Sequence, residues 1–233
     1  MTRATFLLSK DPEIERGGDL DTSRAVMRLA AEAFEVTAIC LSSAEPGSVV
    51  VDDLVPGGLP LTRVRKSAAV PRKLLIGSMR SRRSMVHVRF DLDSLLPAIE
   101  EADADIYIAE HSYMAETFLR SNKFGVKKLV INTINTESQV WRATRGLLGR
   151  VEWPRILRDE LRVARAADVV GTYDAEEAEF YRENGVPDAR WIDLTVPPAR
   201  RVDVASTPRR LVCLGTREWP PNQEAFLAAL AVW

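Results

Sequence analysis

Apolar and polar positions along this chain switch repeatedly between two periods. Short apolar runs at 5–9, 36–41, 105–109, 128–132, 168–172 and 190–194 read as buried strands. Between them lie stretches with apolar residues three and four apart, the period of a helix with one buried face. The first such stretch carries Val26, Leu29, Ala30 and Ala33, with Asp21 placed to cap it. Residues 44–60 hold Pro46, Gly47, Pro56, Gly57, Gly58 and Pro60, so turns dominate there around a short strand at 49–51, with a further strand at 61–66. Helices are expected over 70–83, from Asp93 or Ser94 through Ala102, over 113–121, and in two stretches before 168. Another starts at Asp174-x-x-Glu177, a capping-box-like pattern, and stops near Asn184-Gly185. Strands alternating with helices predict right-handed βαβ units in an α/β, doubly wound, Rossmann-like parallel sheet. Its ligand crevice lies at the carboxyl ends of the strands.

The totals narrow this picture without naming a ligand. With 233 residues the chain holds one generous domain, or one domain and a fragment, and 46% hydrophobic content supplies a sizeable core. A net charge of −1 gives no overall attraction to nucleic acid. Cys40 and Cys213 lie in apolar runs without metal or CxxC spacing, which predicts buried free thiols, and no His/Cys cluster points to a metal. The N-terminus lacks a secretory pattern, and no apolar run approaches a membrane span of about 18 residues. The expectation is a cytoplasmic chain.

Candidate chemistry falls in the loops that follow strands. Gly17 and Gly18, between the first strand and the first helix, let backbone approach a phosphate closely, and they serve a tight turn equally well. Neither GxGxxG nor GxxxxGK[ST] occurs, so the dinucleotide and P-loop patterns are unsupported. His111 follows a buried strand beside Glu110. It is placed to act as a general base or to hydrogen-bond a hydroxyl-rich substrate, or simply to cap a helix or face solvent. His87 has no evident partner in the sequence. From Leu54 to Phe90 no acidic residue occurs, whereas Arg63, Arg65, Lys66, Arg72, Lys73, Arg80, Arg82, Arg83 and Arg89 do, and Arg72, Lys73, Arg80, Arg82 and Arg83 are the candidates for an anionic contact. That run reads as a solvated helix face, a patch for anionic lipid headgroups at the inner face of a membrane, or an anionic-acceptor site. Arg155, Arg158, Arg162 and Arg165 stripe one helix beside Asp159 and Glu160, which can pair with them as scaffold.

Taken in order, several stretches resemble glycosyltransferase family 4 (group 1), the retaining group with the two-domain GT-B fold. The first strand with Gly17-Gly18 is similar to its glycine loop. Ala109-Glu110-His111-Ser112-Tyr113-Met114 is similar to its post-strand histidine segment. Asn132-Thr133-Ile134-Asn135-Thr136-Glu137-Ser138 is similar to a segment that often reads Asn-Thr-His-Asn-x-Glu-Ser, with Ile134 in place of histidine. Ala166-Ala167-Asp168 opens a matching strand-and-helix passage. Leu211 to Asn222, a strand, Gly215, a Trp219-Pro220-Pro221 loop and a capping Asn222, looks like the opening of the donor domain.

The resemblance implies an acceptor-side N-terminal domain over 1–200, a linker over 201–209, and the start of the C-terminal donor-binding domain over 210–233. It further implies transfer of a sugar from a nucleoside-diphosphate sugar with retention, without metal or other cofactor. Gly17, Gly18 and Gly215 would contact the donor diphosphate, His111 would act in the cleft, and Asn135 and Glu137 would shape the acceptor side. Because the family's Glu-x7-Glu segment would lie beyond Trp233, the isolated chain is expected to be inactive. The alternative is a non-catalytic interaction protein that keeps the fold.

Overall fold

A computed structural model describes residues 1–194, 203, 205–206, 208 and 220–232. The chain divides into two compact units, Met1–Leu194 and Thr195–Trp233. In the second, a helix spans Pro220–Val232, with Asn222 in its first turn rather than ahead of it as a cap. The expected strand and glycine turn at 211–219, Gly215 included, lie outside the described residues.

The first unit begins β1 (Arg3–Leu8), α1 (Gly18–Ala30) and β2 (Glu35–Ser42), followed by the hairpin β3 (Gly47–Val51) and β4 (Leu59–Arg65). The helices α2 (Pro71–Ser81), α3 (Met85–Phe90) and α4 (Leu96–Glu101) lead to β5 (Ile106–Glu110). A 3-10 turn at Ser112–Met114 runs into α5 (Ala115–Phe118), then come β6 (Lys128–Thr133), α6 (Glu137–Thr144) and α7 (Gly146–Ala166). The unit closes with β7 (Val169–Thr172), α8 (Ala175–Glu183) and β8 (Ala189–Trp191).

One sheet contains all eight strands in the order β3–β4–β2–β1–β5–β6–β7–β8. Every pairing is parallel except β3 with β4. The chain therefore builds outward to one side of β1, returns, and builds outward to the other side, which opens a crevice beyond the carboxyl ends of β1 and β5. One face packs Phe6, Leu8, Ala38 and Cys40 against Met27 of α1. The other packs Leu7, Ile39, Tyr107 and Ile131 against Leu95, Phe118, Ile156 and Val163. Alternate residues of one strand serve opposite faces, so burial of both faces makes the central strands apolar throughout.

Several local expectations shift for physical reasons. Gly17, not Asp21, precedes α1, and Asp21 lies in the first turn. The helix consequently turns Leu20, Ser23 and Met27 inward, keeps Val26 and Ala30 of the expected face packed against the core, and leaves Leu29 half exposed. The helix expected over 70–83 ends at Ser81, because Arg82 takes a left-handed φ of 57° that stops it, and α3 is a separate helix capped by Ser84. Asp174 caps α8 as expected, accepting from the Glu176 and Glu177 N–H groups. Glu177 does not complete the capping box: its carboxylate accepts from the N–H and hydroxyl of Thr136 at 2.8 and 2.7 Å.

The arginine stripe on α7 holds neighbouring elements. Arg155 donates to the Ser78 and Arg83 carbonyls and Arg165 to the Asn184 carbonyl, while Arg162 pairs with Glu116 of α5. The acids between them cap other helices. Asp159 accepts from the Ser84 N–H at 2.6 Å and Glu152 from the Met85 N–H, while Glu160 accepts from the Glu137 and Ser138 N–H groups at 2.6 and 3.2 Å.

Candidate functional site

The loop after β1 is tied down before it reaches Gly17. Fully buried Asp11 accepts from the Ser42 hydroxyl at 2.6 Å and from Arg63 at 2.7 Å, and Lys66 pairs with Glu15. These ties set Gly17 immediately ahead of α1 with φ 155° and ψ 154°, a backbone that L side chains rarely adopt. Its neighbour Gly18 has open space around it. Asp19 folds back over this turn, so a Cβ at residue 17 would lie 2.5 Å from its Oδ1. The other carboxylate oxygen receives Lys10 Nζ at 2.5 Å. Burial works against the Asp19 charge, but the Lys10 hydrogen bond and charge outweigh it and hold the carboxyl below its usual range. An internal carboxylate thus already sits where the helix N-terminus favours an anion.

His111 ends β5 with φ 72° and ψ 144°, a positive φ for a residue with a Cβ. Its N–H continues the ladder to the Asn132 carbonyl at 2.8 Å. Its ring stacks on Tyr113 with centroids 4.8 Å apart, and Tyr113 in turn stacks on Phe90 of α3 at 4.2 Å. Only 7% of His111 is exposed, and Nδ1 is buried without a hydrogen-bond partner. Burial lowers its pKa to about 4, with Asp19 opposing and Lys10 assisting. The ring is therefore neutral at pH 7, able to accept or donate a hydrogen bond but not to supply positive charge.

Below it, Glu110 is 1% exposed and accepts from Asn132 Nδ2 and Ser23 Oγ, both at 2.8 Å. Burial dominates these hydrogen bonds and raises its pKa to about 7. The Tyr173 hydroxyl, just after β7, is buried without a partner and feels the Glu110 charge.

Glu137 begins α6 at the carboxyl side of β6, with Trp141 Nε1 donating to it at 2.9 Å. Burial raises its pKa against that bond, and the Asp19 charge adds to the effect. Its own charge is felt by Tyr113. Asn135 is half-buried one residue before Thr136, and its side chain forms no hydrogen bond among the described residues.

Gly17, Gly18, His111 and Glu137 are thus gathered with Lys10, Asp19 and Tyr113 at one end of the sheet, and Asn135 lies on the same margin. The basic residues are not gathered there. Arg72, Lys73, Arg80 and Arg82 are exposed on α2 and its end. Arg83, expected among them, turns inward to Asp91 at 2.6 Å and Glu116 at 2.9 Å, and so is a structural ion-pair partner rather than surface charge. His87 is wholly buried, its Nδ1 2.6 Å from Glu116. Among the described residues no group of three or more His, Cys, Asp or Glu side chains could hold a metal ion. Lys10, Asp19, Ser23 and Tyr173 were not singled out from the sequence. One signal was present: a polar residue closing an apolar strand, as Glu110, Asn132 and Thr172 do.

No protein-family model and no curated protein matches the sequence. Among solved structures, sucrose-phosphate synthase from Thermosynechococcus elongatus superposes with a TM-score of 0.57 at 14% identity, over 82% of this chain and 47% of that one. Os79 from O. sativa, solved in complex with UDP, gives a TM-score of 0.47 at 12% identity over 87% of this chain and 55% of that one. The chain spans about half the length of these structures. The superposition on sucrose-phosphate synthase shows the fold: a mostly parallel, doubly wound α/β unit like one half of a GT-B architecture.

Proposed function

We propose that this chain is the acceptor-side part of a retaining glycosyltransferase of family 4, acting on a nucleoside-diphosphate sugar. Residues 1–200 form its N-terminal domain, 201–209 a linker, and 210–233, with Gly215, the opening of its donor-binding domain. The observation that supports this most is His111, held at a positive φ beside the switch between β1 and β5 with an unpartnered Nδ1. When the bond from the sugar to the diphosphate breaks, charge develops on the leaving diphosphate. The N–H groups of Gly17 and Gly18, which make no hydrogen bond among the described residues, suit that charge at the α1 N-terminus. Lys10 can transfer its ion pair from Asp19 to a phosphate oxygen. Neutral His111 hydrogen-bonds a sugar hydroxyl, and Asn135 and Glu137 face the acceptor.

One observation favours a second reading, a non-catalytic interaction protein. Asp19 already occupies the helix N-terminus and would have to swing away to admit a phosphate. An NMR titration with a panel of nucleoside-diphosphate sugars separates the two. Catalytic ancestry predicts saturable shifts at the Gly17, Gly18 and His111 amides, stronger in Asp19→Asn and weaker in His111→Ala. No shift with any nucleotide, Asp19→Asn included, leaves the second reading.

A further inference from the structure

The acid-free basic stretch is not one patch. Arg63 and Lys66 are taken up by the loop after β1, and Arg83 by Asp91 and Glu116. Of the bases left outside, Arg72, Lys73, Arg80 and Arg82 belong to α2 and the residue that caps it, while Arg65 ends β4 and Arg89 lies on α3. The helix packs inward through Ser78, whose hydroxyl donates to the Arg83 carbonyl at 2.6 Å, and through Gly77, where a Cβ would meet Val88 of α3 at 3.0 Å. On the opposite side Leu75, Ile76 and Met79 are 50%, 55% and 68% exposed. At 100° per residue these three form one strip, with Arg72 and Lys73 a turn before it and Arg80 directly after Met79, one turn on from Ile76.

We infer that this face of α2 docks on the surface of an anionic lipid bilayer. An ordinary solvated helix face turns large aliphatic side chains inward and mixes charges of both signs. Here three aliphatic side chains point outward, and no acidic residue occurs between 55 and 90 to repel a negative surface. Aliphatic chains entering the headgroup boundary, flanked by Arg and Lys, suit an interfacial helix. A nucleic acid would instead be met by stacking aromatics, and α2 contains none. Through α3, Phe90 and Tyr113 this helix is linked to His111, so a docked chain would hold its crevice near the bilayer.

Co-sedimentation of the 233-residue chain with phosphatidylcholine vesicles, with or without about 30 mol% phosphatidylglycerol to supply a negative surface, tests this. Binding is expected only to the anionic vesicles and falls as salt rises. Each basic residue contributes about fivefold near such a surface, so Arg72→Gln, Lys73→Gln and Arg80→Gln together should weaken partitioning roughly 100-fold. Ile76→Ser with Met79→Ser should weaken it while leaving a salt-labile remainder. All these positions are exposed, and unchanged thermal unfolding of the variants shows that folding is intact. Absence of binding at low salt, or equal binding by wild type and both variants, overturns the inference. So does a dimer that dissociates on Ile76→Ser/Met79→Ser without vesicle binding, which assigns the face to a second copy. RNA binding that the same basic substitutions weaken, with no vesicle binding, overturns it as well.

Discussion

Ser23 Oγ lies 2.8 Å from Glu110 Oε2 and 3.0 Å from the Asp19 carbonyl oxygen. The hydroxyl has one proton and two acceptors. If Glu110 is ionised, Ser23 must leave one of them unserved. If Glu110 carries a proton, it donates to Ser23, which donates onward to the carbonyl, and the chain of bonds is complete. Below pH 7, geometry and burial therefore favour the same neutral carboxylic acid.

Glu110→Gln keeps this shape and removes the titration. With a folded pKa of about 7 against an ordinary 4.5, the native state holds the proton more tightly than the unfolded chain. Wild-type stability should therefore fall as pH rises from 4.5 to 7. The variant should gain on wild type by on the order of 3 kcal/mol between pH 4.5 and pH 8. Urea denaturation at the two pH values reads this directly, and a pH-independent difference would contradict it.

The two glycines before α1 should behave oppositely. Gly17→Ala places a Cβ on a backbone with φ 155° and against Asp19, and should cost about 1–3 kcal/mol. Gly18→Ala meets nothing within 4 Å at the first helical position and should stabilise by up to about 1 kcal/mol. Thermal unfolding of both variants checks the contrast.

At His111 the backbone and the ring can be separated. His111→Gly relaxes the positive φ, whereas His111→Ala keeps the strain and loses the stack on Tyr113. The glycine variant should be more stable than the alanine variant by about 1 kcal/mol. Both should lose the nucleotide-dependent shifts proposed for this site. Equal stability would mean that the φ value carries no strain.

Glu116 is 3% exposed and receives Arg83, Arg162 and His87. Glu116→Ala leaves His87 buried with neither ring nitrogen partnered. The arginines are partly exposed and can turn to water, which places the cost at about 2–3 kcal/mol, below that of a fully buried pair. Glu116→Gln should recover part of it, because the amide still offers an oxygen. Chemical denaturation of the two variants tests the order.

Much of the architecture could be read from periodicity, because both faces of the sheet are buried and its strands stand out as apolar runs. The α/β class, the alternation of strand and helix and the Asp174 cap follow from local chemistry. Where tertiary contacts decided, local pattern misled. The inward side of α1 follows Leu20, Ser23 and Met27 because Gly17, tied through the loop at Asp11, sets its start. Glu177 leaves its own helix to serve Thr136. At the site, Gly17, Gly18, His111 and Glu137 could be picked out, since they follow strands. Lys10 and Asp19 could not: their pairing depends on a side chain folding back over a glycine, which no spacing encodes.

The acids of α7 set how this side of the domain breathes. Glu152, Asp159 and Glu160 hold the first N–H groups of α3 and α6, and each acid is almost wholly buried. Releasing either short helix alone would strand a carboxyl group away from water. The cheapest opening is therefore a joint one, in which α7, α3 and α6 lift together. The amides of Ser84, Met85, Glu137 and Ser138, separated by more than fifty positions in the chain, should exchange their hydrogens with solvent at one shared rate.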